Sequence, residues 1–153
     1  MALGAGLAQL STAVKQCASA AVAQPPVADI PTVWMPKDVQ ALSAALTAYP
    51  DAVLTAGLTD VGLWLNKQLR TIPVMISTLQ VAELQAVHHT VAGLDIGAAV
   101  TLTQLAPHLL ALYPELHEWH ERFASKPIRN AATLGGNVVG GSPIGDSMPV
   151  LLA

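Results

Sequence analysis

Residues 129–149 read RNAATLGGNVVGGSPIGDSMP, with five glycines, two prolines and two charged side chains, Arg129 and Asp146. A loop that merely connects two elements is usually more polar. Paired glycines, Gly135-Gly136 and Gly140-Gly141, permit close approach of backbone to a bound molecule. Thr133, Asn137 and Ser142 supply neutral hydrogen-bonding groups. The lone carboxylate, Asp146, accepts hydrogen bonds, and a sugar hydroxyl is a natural donor to it. Bare backbone with neutral polar groups suits a nucleotide carrying ribose or ribityl hydroxyls. Taken alone, the run also reads as a glycine-rich bend between two strands.

A second stretch changes that balance. TAGLTDVG, residues 55–62, follows a short apolar run, AVLTAG, that reads as a buried strand ending at Gly57. A helix-like segment starts after Asp60. A strand–glycine–helix junction exposes backbone N–H groups that hold phosphate oxygens, and Thr59 adds a hydroxyl. Such junctions are common as plain turns, so this one counts because of its companion.

Around these loops the pattern alternates. Thr32 to Met35 reads as a strand stopped by Pro36, and Asp38 as the cap of a helix with Val39, Leu42, Ala45 and Leu46 on its buried face. Tyr49 to Asp51 breaks that helix. Val61, Leu65 and Leu69 fall at helical spacing, PVMIS reads as a buried strand, and HTVAGLDIGAAVTLTQL as two strands about a Gly-Leu-Asp turn. Thr103 reads as the cap of a helix from about Gln104. A further helix is expected over residues 115–124. Strand and helix alternate in the first half, as in an α/β unit with parallel pairing, and the second half is mixed.

The chain has 153 residues, one domain of ordinary size. Lys plus Arg number 7 and Asp plus Glu number 10, a formal charge of -3. That balance carries no basic footprint for nucleic acid and no polybasic signal for anionic membrane. Only 11% of residues are charged and 52% are hydrophobic, against roughly 25% charged in ordinary domains. The shortage fits apolar surface covered by another domain, subunit or cofactor; an alanine-rich bias also accounts for it. A single cysteine, Cys17, excludes an internal disulfide and a cysteine-ligated cluster, and leaves a reducing cytoplasm as the default compartment. Residues 1–29 read as a leader or linker through AQPPVAD. Lys15 interrupts their apolar part, which has no positive residue before it, so they lack the form of a secretory signal. The longest uncharged candidate for a membrane span, IGAAVTLTQLAPHLLALYP, carries Gln104, Pro107 and His108 in its middle.

From about Ile30 onward the chain resembles the FAD-binding domain of the molybdenum hydroxylases, most of all the flavin part of bacterial xanthine dehydrogenase. AGLTDVGLWLNKQLR is similar to that family's first flavin loop and FASKPIRNAATLGGNVVGGSPIGDSMPVLLA to its second; TVWMPKDVQALSAAL fits its opening strand and helix. The resemblance implies an α+β, PCMH-type fold: a small α/β subdomain, about residues 30–85, and a C-terminally incomplete second subdomain with a mixed sheet, about 86–153. It implies FAD as cofactor, wrapped at its pyrophosphate by Leu54, Thr55, Ala56, Gly57, Leu58, Thr59, Asp60 and Val61, then by Phe123, Ala124, Thr133, Gly136, Asn137, Ser142 and Asp146. Phe123, the one phenylalanine, sits at a family position near the flavin; as an aromatic in a core it needs no such role. Molybdopterin and iron–sulphur clusters are expected on partner domains or chains, with NAD as a possible electron acceptor and no catalytic residue here.

Leu58 departs from the family, which has a small or amide residue there. A leucine held at positive φ costs about 1 kcal/mol or more. That departure, with the short second subdomain, keeps open a structural or assembly module that no longer binds FAD; a carbon monoxide dehydrogenase-like flavoprotein subunit is a further alternative. Histidines 88, 89, 108, 117 and 120 suggest no complete ligand set. His117 and His120, three apart, read as a solvated helix face. Trp34, Trp64 and Trp119 read as packing residues, and no serine lies in a G-x-S-x-G turn.

Overall fold

A computed structural model describes residues 31–153; the expected leader and Cys17 lie outside them. Three short strands, β1 (Thr32–Trp34), β2 (Val53–Thr55) and β3 (Val74–Ser77), form a parallel sheet in the order β1-β3-β2. Thr32 pairs with Val74 on one side of β3, and Leu54 with Ile76 on the other. Parallel neighbours need crossovers. Helix α1 (Val39–Ala48) and helix α2 (Val61–Asn66) lie in the two connections.

Asp38 caps α1 as its sequence signals: the side chain accepts from the Ala41 amide at 2.7 Å. The helix stops at Ala48, before Tyr49 and Pro50. Leu42, Ile76 and Val81 form the first core cluster, with Trp34 and Tyr49 packed against it at a ring separation of 5.3 Å. Ile76 is fully buried because it sits on the central strand.

Helix α2 ends at Asn66, well short of Leu69. Leu69 is 82% exposed at φ 51°, so it turns the chain out of the helix instead of extending a buried face.

The second half opens with a hairpin of β4 (Val87–Thr90) and β5 (Gly93–Ile96), pairing His88 with Asp95 and His89 with Leu94. Its turn falls at Val91-Ala92, and the expected Gly-Leu-Asp turn belongs to β5. Helix α3 (Leu102–Leu112) is capped by Thr101, two residues earlier than expected. The Thr101 hydroxyl accepts from the Gln104 amide while the Gln104 side chain accepts from the Thr101 amide, a reciprocal capping box. Thr103 lies inside the helix and donates to Asn130 Oδ1 at 2.7 Å.

A 3-10 turn (Pro114–Leu116) leads into α4 (His117–Arg122), followed by α5 (Lys126–Ala131), α6 (Leu134–Gly140) and α7 (Ser147–Leu152). The glycine-rich run is therefore mostly helical. Leu102, Phe123 and Ala132 make the second core cluster, with Trp119 and Leu134 against it. The architecture is α+β, as the resemblance implies. No described helix is long and apolar enough to cross a membrane.

Candidate functional site

Strand β2 delivers the first loop, and its end is pinned hard. Thr55 is buried; its hydroxyl donates to the Ile76 carbonyl at 3.3 Å. The Thr78 amide and hydroxyl both donate to the Thr55 carbonyl, at 2.9 and 3.2 Å. Beyond this anchor the chain turns through Leu58 at φ 60°, and Gly62 N–H closes the turn on the Leu58 carbonyl at 2.7 Å. The amides of residues 56–61 donate to no acceptor among the described residues. Backbone amides are obligatory donors. A run of six free donors about a left-handed turn is the kind of main chain that can accept an anion. With α2 only six residues long, these amides matter more than any helix dipole. Thr59 and Asp60 are half-buried, while Leu54 and Leu58 present 51% and 46% of their surface.

The second loop behaves differently. Thr133 is fully buried and caps α6, its hydroxyl accepting from Gly136 N–H at 3.1 Å. Leu134 N–H donates to Val100 O at 3.0 Å, Gly135 N–H to Ala98 O at 3.1 Å, and Asn137 N–H to Thr133 O at 3.0 Å. The leading amides of α6 are thus used within the chain. Gly136 and Gly140, one helical turn apart, instead open a face toward the first loop. A Cβ on Gly140 would stand 3.2 Å from Asp60 Oδ2, and one on Gly136 4.0 Å from Ala56 Cβ and 2.9 Å from Thr133 Oγ1. From the other side Gly57 abuts the end of α5: its Cβ would fall 1.7 Å from Ala131 O. The glycines let two backbone segments meet.

Past α6, Gly141 takes the left-handed conformation at φ 55° and releases the chain. Ser142 holds a tight turn, its carbonyl accepting from Gly145 N–H at 2.8 Å and its hydroxyl from Ile144 N–H at 3.4 Å. Asn137 Oδ1 accepts from the Ser147 hydroxyl, which orients the amide group. Asp146 is exposed and makes no capping bond to α7. Neither loop carries a Lys or Arg between residues 55 and 62 or between 133 and 146.

Phe123 packs in the core. It is buried in the second core cluster with Leu102 and Ala132, stacked on Trp119 at 5.0 Å. Ala124 follows at φ 55°. The turn between them is held by Arg129, whose Nη1 donates to the carbonyls of His120, Phe123 and Ala124 at 3.1, 2.9 and 2.8 Å. Sequence reasoning passed over Arg129. Its only signal was a basic residue just before the glycine run. Ala131, the surface that receives Gly57, left no signal at all.

The family profile described as the FAD binding domain in molybdopterin dehydrogenase matches residues 23–153. The chain belongs to that family. It is 35% identical over 133 residues to xanthine dehydrogenase/oxidase of Gallus gallus, covering 79% of this chain and 10% of that protein. It is 38% identical over 133 residues to xanthine dehydrogenase of Drosophila subobscura, covering 80% and 10%. Among solved structures, the cyanide-inactivated Cu,Mo-CO dehydrogenase matches with a TM-score of 0.69 at 27% identity, covering 84% of this chain and 45% of that one. The chain thus spans about a tenth of the curated relatives it matches.

Proposed function

We propose that this chain is the flavin-binding module of a xanthine dehydrogenase-like molybdenum hydroxylase. The observation that carries the reading is the meeting of the two loops. Six unpaired amides, residues 56–61, lie where Gly136 and Gly140 bring α6 against Ala56 and Asp60. A diphosphate accepts from such amides without a Lys or Arg clamp. The Thr59 hydroxyl adds a donor. Leu54, Thr55 and Val61 frame this loop, and Thr133 and Ser142 hold the second in shape. Asn137 and Asp146 bind sugar or ribityl hydroxyls, with Ala124 beyond the core-packed Phe123 at the rim. These groups fit FAD, and the protein's part is to orient it.

Bound FAD supplies the redox chemistry, linking electrons from iron–sulphur clusters on partner domains or chains to NAD or another acceptor. The molybdenum centre, on a further domain or subunit, oxidises the substrate. The identities of 35% and 38% to xanthine dehydrogenases favour a purine over carbon monoxide as that substrate. The working unit is a multi-domain or multi-subunit enzyme of the cytoplasm. Residues 30–85 and 86–153 serve as the two parts of the flavin module.

Fluorescence quenching of FAD on titration with the chain tests the site. The Asn137→Ala, Asp146→Ala double variant is expected to bind at least tenfold more weakly than the unmodified chain, the loss of about 1.4 kcal/mol or more. Equal binding by both, with both folded, would overturn the assignment of these residues. Absence of any flavin binding by the unmodified chain would favour the structural-module alternative.

A further inference from the structure

His89 on β4 and His108 on α3 meet outside the flavin site. Their ring nitrogens, His89 Nε2 and His108 Nδ1, lie 3.0 Å apart, with ring centroids at 5.3 Å and planes inclined by 48°. They are 19 positions apart in sequence, so no spacing rule reveals the pair. One ring must donate and the other accept, so both bring an in-plane nitrogen to one point.

We propose that His89 and His108 form a binding site for a divalent transition-metal ion, its remaining positions filled by water. Imidazole nitrogen is a favoured ligand for Ni(II), Cu(II) and Zn(II). At metal–nitrogen distances of about 2.0–2.1 Å, two ligands at a right angle stand about 2.9 Å apart, and two at a tetrahedral angle about 3.3 Å. The observed 3.0 Å matches the right angle, the cis arrangement of tetragonal Cu(II) and Ni(II) sites. The 5.3 Å between centroids sets the two ring nitrogens head-on, so each ring swings by roughly 45° about its outer torsion to direct its lone pair at one ion. His89 is exposed and His108 half-buried, and surface rings turn about that torsion readily. Alternation along β4 puts His88, and with it the cross-strand partner Asp95, on the opposite face. Among the described residues no group of three or more His, Cys, Asp or Glu side chains converges on one point, hence the water. The two ligands come from different elements, so the ion would clamp the hairpin to α3 and raise the stability of the folded chain with metal concentration.

The test titrates NiCl2 into the full 153-residue chain in a Cys17→Ser background, which removes a competing soft ligand. One equivalent should bind and raise the melting temperature. His89→Gln and His108→Gln should each weaken binding by at least tenfold. His88→Gln and the His117→Gln, His120→Gln double variant should leave it unchanged. ZnCl2 should bind more weakly than NiCl2. On the histidine-intact chain, paramagnetic broadening by a trace of CuSO4 should reach the His89 and His108 ring resonances first, which needs no variant to fold. Broadening centred on His117 and His120, or binding unchanged in both single variants, would overturn the proposal.

Discussion

Gly57 meets Ala131 so closely that a methyl group on its Cα would stand 1.7 Å from the Ala131 carbonyl oxygen. Backbone is on both sides of that contact, so nothing flexible can yield. Gly57→Ala is expected to force the first loop off the end of α5, at a cost of about 1–3 kcal/mol or more, and to weaken FAD binding with it. Gly62, five residues on, has nothing within 4 Å of its Cβ position and lies inside α2. Gly62→Ala should stabilise the chain by about 0.5–1 kcal/mol. Urea unfolding of the two variants checks the opposite signs. A Gly57→Ala chain as stable as the unmodified one would mean that the loop does not dock as described.

Arg129 is expected to hold the Phe123-Ala124 turn through one nitrogen shared by three carbonyls. Removing a charged donor from a part-buried group of acceptors costs about 1.5–3 kcal/mol. Arg129→Ala should lose that much. Arg129→Lys should recover less than half, because an ammonium on a shorter stem does not reproduce the planar guanidinium. The stack of Trp119 on Phe123 should loosen in both, changing tryptophan emission. Unaltered emission and stability would show that the turn stands without the arginine.

These two contacts mark where sequence reasoning stopped. Strands β1 to β3 and the Asp38 cap were legible because local rules decide them: short apolar runs between breakers, and a carboxylate three residues before a free amide. The capping box was equally local, since Thr101 and Gln104 stand at its spacing, yet Thr103 was preferred. The glycine run was harder. Glycine disfavours helix by about 1 kcal/mol per residue, which argues for an open bend over 134–140. Tertiary bonds reverse that preference: Leu134 and Gly135 donate to Val100 and Ala98, and buried Thr133 caps the turn. None of these partners is near in sequence. The candidate residues were legible as two loops, and their meeting was implied by family resemblance alone. The division of work, free amides in one loop and satisfied amides in the other, needed coordinates.

His120 titrates below its ordinary value of 6.5, first because burial penalises the charged ring and then because Arg129 and His117 stand near, with Glu121 opposing. The folded chain therefore holds the proton more weakly than the unfolded one. Unfolding takes up a proton in this range, so stability is full above about pH 6.5 and falls as pH drops through the lowered value. His120→Gln removes this dependence. Melting temperatures between about pH 8 and 5 should fall less steeply for the variant than for the unmodified chain. Parallel curves would remove His120 from the account.

Leu58 sits in the left-handed region at φ 60°, at the centre of the unpaired amides, with 46% of its surface exposed. Its side chain gains little from burial there, while its backbone carries a strain of about 1 kcal/mol or more. Asparagine enters that region more easily than leucine. Leu58→Asn is thus expected to stabilise the chain by about 1 kcal/mol, read as a higher urea midpoint at unchanged slope. The amides of the neighbouring residues keep their directions when the turn is relaxed in place, so FAD affinity should hold or tighten. Should Leu58→Asn stabilise the fold and yet weaken FAD tenfold, the leucine itself would be a contact of the bound nucleotide. Should it destabilise the fold, the turn would rest on packing of the leucine side chain, and the free amides would be a consequence of that packing.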